Sequence, residues 1–426
     1  MFPHPLFCLK RNSDKAEIVS ILQDGVQETI NQFLDLASSC TQPPQPRNGE
    51  KQIGLRYHDK GEAHLRVKDL SVKYDIEELR ESHFSQEKLL PEDLCPTLGF
   101  DHPAMRPLKL FSVQANFVKN GLLLIVCMYH SICDSVGQFH VTEMLASQCN
   151  AIGQRKATSP SSSLKLAFSA NQFDRSRLFH LFHGAPKSDV AKLSSYIVLP
   201  VPERGMPAWA TPDGKPLATK KPSSSTEPYI STHDAVCALV WRTVIAARLK
   251  ASIITTTDAS TFGMPIDGRS QLSPPLPADF LRNLAVCFKV GESVQELIPP
   301  ENLGAAGFQI RSGVKSVDDA YLKNFVTLLQ EVPDMGQVFI DCLEHIKTTG
   351  LFLTSWARFD YAGLSWGSRF GECEIFRFPA GGYMNGIAVI FPPLTNGDWE
   401  VTLTLEETAM KAFKEDETWR RFARME

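Results

Sequence analysis

This 426-residue chain lacks any apolar stretch approaching the roughly 20 residues of a membrane-spanning helix. Its N-terminal MFPHPLFCLKRNSDK has no apolar core long enough for a secretory signal, so a cytoplasmic protein is expected. The ten cysteines include no C-x-x-C pair, and Cys127, Cys237 and Cys287 sit inside apolar runs. They read as buried free thiols in a reducing compartment, not as a disulfide framework. Lysine and arginine form no run and the net charge is -4, which argues against a nucleic-acid partner. Neither the phosphate-cradling G-x-x-x-x-G-K-[ST] nor the dinucleotide-binding G-x-G-x-x-G occurs. His180 and His183 stand close together, but no cysteine or acidic pattern completes a metal site. They read as the surface of an amphipathic segment, and no metal is expected.

What is present is an ordinary soluble composition, 43% apolar and 22% charged, on a chain long enough for two domains. The most informative stretch is Gly121–His140, GLLLIVCMYHSICDSVGQFH. Leu122 to Met128 suits a buried strand. Polarity changes at Tyr129 and His130, Asp134 follows four residues later, and Gly137 relieves the turn. Phe139, Val141, Met144 and Leu145 then recur at helical spacing. This order sets an imidazole at a strand end, where reactive groups facing a crevice are commonly placed. Histidine is the side chain best suited to take a proton near neutral pH. H-x-x-x-D alone is weak, since it occurs by chance in many chains and reads as a core histidine beside a solvated aspartate. The flanking strand, turn, glycine and helix raise the catalytic reading to stand level with that one.

Pro5–Lys10 predicts a short strand, and Ser13 with Asp14 marks the start of a helix carrying Ile18, Leu22, Val26, Ile30 and Phe33. Cys40–Lys51 reads as a polar, Pro-rich loop. Asn120-Gly121 predicts a tight turn with positive dihedrals between strands at Phe111–Val118 and Leu122–Met128. A helix over about Val141–Cys149 follows. Residues 206–228, MPAWATPDGKPLATKKPSSSTEP, form the best boundary, a linker crossing between domains at 1–205 and 229–426. Thr232 predicts the N-cap of a mostly buried helix over Ala235–Lys250. Strands are expected at Glu374–Phe378, Gly386–Phe391 and Trp399–Leu405, the last two joined through Asn396-Gly397, with a charged helix from about Ala409.

Two further stretches carry chemistry. In FGMPIDGRSQLSPPLPADFLRN, Phe262–Asn283, the triplet Asp267-Gly268-Arg269 forms a turn before a stiff extended loop at Ser273–Pro277. By itself this is equally a Pro-rich surface loop with a solvated arginine. In TSWARFDYAGLSWGSRFG, Thr354–Gly371, the segment Gly363–Gly367 fits the G-x-S-x-G nucleophile elbow. The elbow needs a strand before, a helix after and a later histidine, but the last histidine is His345, upstream of Ser365. The hydrolase reading fails on chain order.

Taken together, YHSICDSVG at His130, ISTHDAVCALVWRTVIAAR from Ile230, IDGRSQLSPPLP from Ile266 and TSW from Thr354 resemble the BAHD acyltransferases. The likeness is greater to their fungal branch, which includes the trichothecene 3-O-acetyltransferases, and covers nearly the whole chain. The order and spacing of four motifs are far more specific than any one of them. The resemblance implies an α/β fold of two chloramphenicol-acetyltransferase-like domains with a channel between them. It implies a monomer whose co-substrate is an acyl-CoA, with acetyl-CoA the family precedent, entering from one face. A small-molecule acceptor, a fungal secondary metabolite, would enter from the other face. His130 would deprotonate the acceptor's hydroxyl or amine, with Thr354 and Trp356 near the oxyanion. Asp134, the other member of the catalytic motif, would turn away from substrate and pair with Arg269 to hold the turn.

The chain departs from the family pattern at Tyr129 and Ser135, where a second histidine and a glycine are frequent. D-F-G-W-G has become Gly363-Leu364-Ser365-Trp366-Gly367, without its aspartate. Two other functions share these motifs. One is a carrier-protein-dependent condensation-like enzyme. The other is a repurposed non-transferase that binds a hydrophobic metabolite and steers a cyclisation.

Overall fold

Near-continuous apolar runs give strands that are buried on both faces, and two of them, Leu6–Leu9 and Gly121–Met128, lie side by side at the centre of the first sheet. The computed structural model describes residues 4–41, 54–56, 64–96, 108–130, 132–157, 187–198, 229–332, 337–379, 384–394 and 396–425. Across the first sheet the order is Cys373–Arg377, Leu6–Leu9, Gly121–Met128, Phe111–Val118 and Leu65–Asp69. All its neighbours run antiparallel except Leu65–Asp69, which is parallel to Phe111–Val118. The second sheet runs Ala285–Ser293, Ala259–Asp267, Gly350–Ser355, Ile387–Ile390 and Val401–Thr404. Here Gly350–Ser355 is parallel to both of its neighbours.

The hairpin at Asn120-Gly121 forms, with one difference. Asn120 takes the left-handed backbone, φ 63°, whereas Gly121 does not and already pairs with Val118. Gly121 is there for space, because a Cβ would meet Ile76 Cδ1 at 2.8 Å. Cys40 and Thr41, expected in a loop, belong to a short strand, Ser39–Thr41, paired with Gly54–Arg56. The strand Cys373–Arg377 pairs with Leu6–Leu9, so the first sheet takes an edge strand from the C-terminal third. Conversely, Tyr196–Val198 pairs with Val338–Ile340. The segment 206–228, His180 and His183 lie outside the described residues.

Helices Lys15–Gln32 and Ser135–Ala157 share one core with the first sheet, burying Ile18, Ile21, Leu22, Val26 and Ile30 against Val141, Met144, Leu145 and Cys149. Each such aliphatic side chain contributes about 1.5–3 kcal/mol by leaving water. Asp14 caps the first helix, accepting from Glu17 N at 2.9 Å. The second begins at Ser135 rather than Val141, because Asp134 caps it there, and it continues past Cys149 to Ala157. In the other half, the helix Thr232–Lys250 is capped by Ser231, not Thr232, in a reciprocal box with Asp234. It buries Trp241, Val244 and Ile245 against the second sheet, and Trp241 Nε1 donates to Ser260 Oγ at 2.8 Å. Among the described residues nine cysteines are free thiols, all buried except the half-buried Cys373.

Candidate active site

The strand Gly121–Met128 ends in an irregular turn. Tyr129 N donates to Leu110 O at 2.8 Å and Ile132 N to Tyr129 O at 3.0 Å, which fixes where the chain leaves the sheet. His130 sits on that turn, an exposed residue at the end of the sheet. Enough protein nevertheless encloses the ring that desolvation is the leading influence on it, lowering its pKa from the ordinary imidazole value. The Asp134 carboxylate and a hydrogen bond to the residue's own backbone oppose this without cancelling it. Of the two ring nitrogens only Nδ1 is close enough to reach its own carbonyl. An N–H committed there leaves the basic lone pair on Nε2, at the outer edge of the ring.

Asp134 is 2% exposed and Arg269 is 1% exposed. Arg269 Nη1 and Nη2 donate to Asp134 Oδ2 and Oδ1, both at 2.9 Å, a bidentate pair. The same carboxylate accepts from Leu284 N at 2.8 Å and from Val136 N and Gly137 N at 3.1 and 3.2 Å. Asp134 therefore caps the helix after the turn and ties it to a loop more than a hundred residues away. Arg269 also donates through Nε to Phe280 O and through Nη2 to Arg282 O, at 2.8 and 2.7 Å, and through Nη1 to Asp267. Burial disfavours the guanidinium, but Asp134 and Asp267 outweigh it and hold its pKa above the ordinary value. With every polar group engaged, these two residues are scaffold for the turn.

Gly137 lies in the first helical turn without a positive φ, so it does not relieve the turn. A Cβ there would stand 2.2 Å from Leu281 O and 2.6 Å from Cys133 Cβ. The glycine lets the loop from the second half press onto the helix. Ser135 opens the helix without a positive φ, so its backbone does not need a glycine.

Thr354 stands half-buried near the end of the strand Gly350–Ser355, and Trp356 follows directly, 2% exposed. Trp356 N donates to Ile390 O at 2.8 Å, and its indole packs edge-on to Phe378 at 4.9 Å between ring centroids. Phe139, on the helix after His130, stacks on Phe359 at 5.4 Å and meets Tyr361 edge-on at 5.0 Å. The helix that follows the histidine and the segment that carries Trp356 thus share one aromatic cluster. In the altered C-terminal motif, Trp366 is buried edge-on against Phe7 at 5.1 Å. Ser365 Oγ accepts from Asn150 Nδ2 at 3.2 Å, a partner that cannot activate a nucleophile. A cavity of about 620 Å³ lined by Lys10, Asn12, Ser365, Ser368 and Glu372 lies against this motif and does not include His130. It is a polar surface recess without a histidine, whose two charged side chains, Lys10 and Glu372, pair with each other at 3.6 Å; the chemistry points to the histidine turn instead.

Three contacts of the site carry no sequence signal of their own. Asn283 Nδ2 donates to His130 O at 2.8 Å. Arg282 pairs with Asp35, its guanidinium 4.9 Å from the Phe33 ring centroid. Asp267 bridges Arg269 and Arg358, and these cations keep its pKa below the ordinary carboxylate range although burial pushes it up.

The chain is similar to known proteins over nearly its whole length. The family described as the Transferase family matches residues 6–419. The enoyl-CoA isomerase/hydratase claC of Penicillium crustosum is 28% identical over 98% of this chain, which spans only 48% of that protein. The trichothecene 3-O-acetyltransferase TRI101 of Fusarium sporotrichioides is 24% identical over 96% of this chain and 89% of its own length. Among solved structures, Fusarium graminearum TRI101 complexed with coenzyme A and T-2 mycotoxin superposes with a TM-score of 0.80. It covers 99% of this chain and 95% of its own, at 19% identity. This likeness shows the two-domain fold.

Proposed function

From the premise that the chain belongs to the Transferase family, we propose that it transfers an acyl group from acyl-CoA to a hydroxyl of a fungal secondary metabolite. The observation that carries this reading is the solvent-reached His130, held by a buried Asp134–Arg269 pair at the junction of the two halves. The relatives' names support a CoA-borne acyl group and a small-molecule alcohol as acceptor, and acetyl is the acyl group that one of them names.

His130 Nε2 takes the proton of the acceptor hydroxyl as its oxygen attacks the thioester carbonyl. The carbonyl becomes a tetrahedral oxyanion, and Thr354 and Trp356 stand in the segment from which donors would stabilise it, an effect worth several kcal/mol per donor. Collapse breaks the C–S bond, and the departing CoA thiolate takes the proton from the imidazolium. The ester leaves and the base is regenerated. Nothing in the cycle requires His130 to lose its place, which suits a ring set on a clamped turn.

The pH dependence follows from the ring's surroundings. A base must be neutral to act, and desolvation lowers the pKa at which His130 becomes so. The rate of CoA release from acetyl-CoA with an accepted alcohol should rise through an apparent pKa below about 6.5 and be flat from pH 7 upward. A limb at or above pH 7 contradicts this assignment.

A further inference from the structure

The loop Phe280–Leu284 approaches the His130 turn from the opposite half and grips it at several points. Arg269 anchors the loop through the carbonyls of Phe280 and Arg282. Leu284 N donates to Asp134, and Leu281 O lies where a side chain on Gly137 would stand. Between these anchors Asn283 turns outward, exposed like His130 itself. Its side-chain Nδ2 donates to the His130 carbonyl at 2.8 Å.

We propose that Asn283 is a positioning residue for the base. Resting on the acyl-transfer reading, the inference adds how the imidazole is held in a single orientation. The His130 carbonyl has two lone pairs. One is within reach of the residue's own ring Nδ1–H, an arrangement that would keep the basic nitrogen at Nε2. The other accepts from Asn283 Nδ2. An amide donor from a loop fastened by Arg269 keeps that peptide plane from rotating, and the peptide plane sets where the ring N–H finds its acceptor. Asn283 therefore fixes both the direction and the tautomer of the base without touching the acceptor's reacting oxygen. The contact spans the two halves of the chain.

The stability cost of losing it is small, because both residues are solvent-exposed and water replaces the amide. The catalytic cost is larger, since a misplaced base loses about 10²-fold for a displacement near 1 Å.

The test compares Asn283→Ala and Asn283→Asp with the wild-type chain, using acetyl-CoA and whichever alcohol the wild type turns over fastest. Asn283→Ala should lose about 10- to 100-fold in kcat with the KM for acetyl-CoA within about twofold. Asn283→Asp should also move the acid limb of the rate to higher pH, because a carboxylate beside the ring favours the imidazolium. Independently of turnover, ¹⁵N-histidine spectra should show one Nδ1–H tautomer for His130 in the wild type and a mixture in Asn283→Ala. The His130 signals are identified by their loss in His130→Ala. Wild-type kcat and a single tautomer in a folded Asn283→Ala overturn the proposal. Absence of wild-type turnover with every alcohol defeats the acyl-transfer reading instead, and the tautomer spectra still decide on Asn283.

Discussion

Replacing His130 by alanine should lower CoA release from acetyl-CoA, in the presence of an accepted alcohol, by about 10³-fold, within the 10²–10⁴ typical of a positioned general base. The variant should fold, because His130 belongs to neither of the two large hydrophobic cores and its truncation empties neither of them. Binding of acyl-CoA should change little, so the loss should fall on kcat rather than KM. Residual activity is expected, since orientation and oxyanion contacts survive the loss of the base. A variant that forms ester at the wild-type rate removes His130 from the mechanism altogether.

Asp134→Asn should act on the fold first. The substitution keeps the size of the side chain but turns one acceptor into a donor, facing Arg269 and the Leu284 N–H. Arg269, 1% exposed, would keep only Asp267 as a charged partner. Removing one member of a buried pair costs about 3–5 kcal/mol, most of it the penalty of the stranded charge. Part of the helix cap at Val136 and Gly137 goes with it, worth about 1 kcal/mol in typical hosts. The denaturation midpoint and the soluble yield should both fall, together with kcat. A variant with wild-type stability and reduced rate would instead place Asp134 in the chemistry. Removing Arg269 as well should recover only part of the loss, because the carbonyls of Phe280 and Arg282 would then lack their donor.

The parts of this site that could be read in advance are those with local chemistry. An apolar strand, a histidine, an aspartate that can cap a helix and a glycine recur at fixed offsets, and each has a propensity that shows in a window of 20 residues. The Asn120-Gly121 turn was legible for the same reason, although only Asn120 takes the positive φ. Helix starts were legible to within a residue or a few: Ser231 outcompetes Thr232 because Asp234 lies three residues after it and closes the box. The start at Ser135 was missed because apolar periodicity begins only where the helix meets the core, a turn after its cap. Gly137 was legible as a special position but for the wrong reason, since its demand comes from Leu281, far away in the chain.

What stayed hidden is long-range. Nothing near Cys373–Arg377 announces that it pairs with Leu6–Leu9, since backbone pairing across more than 350 residues leaves no local pattern. Asn283 has the same character. Its partner is a main-chain carbonyl, which every residue possesses, so no residue type at His130 could point to it. The Arg269–Asp134 pair could be expected only through the family resemblance, never from spacing.

The central claim is that acyl-CoA delivers its thioester to His130, and a crystal structure of the chain with bound coenzyme A tests it most directly. The CoA sulfur is expected within about 4 Å of the His130 ring, close enough for direct proton transfer. Coenzyme A whose sulfur lies elsewhere, for instance in the recess lined by Lys10 and Glu372, would contradict it.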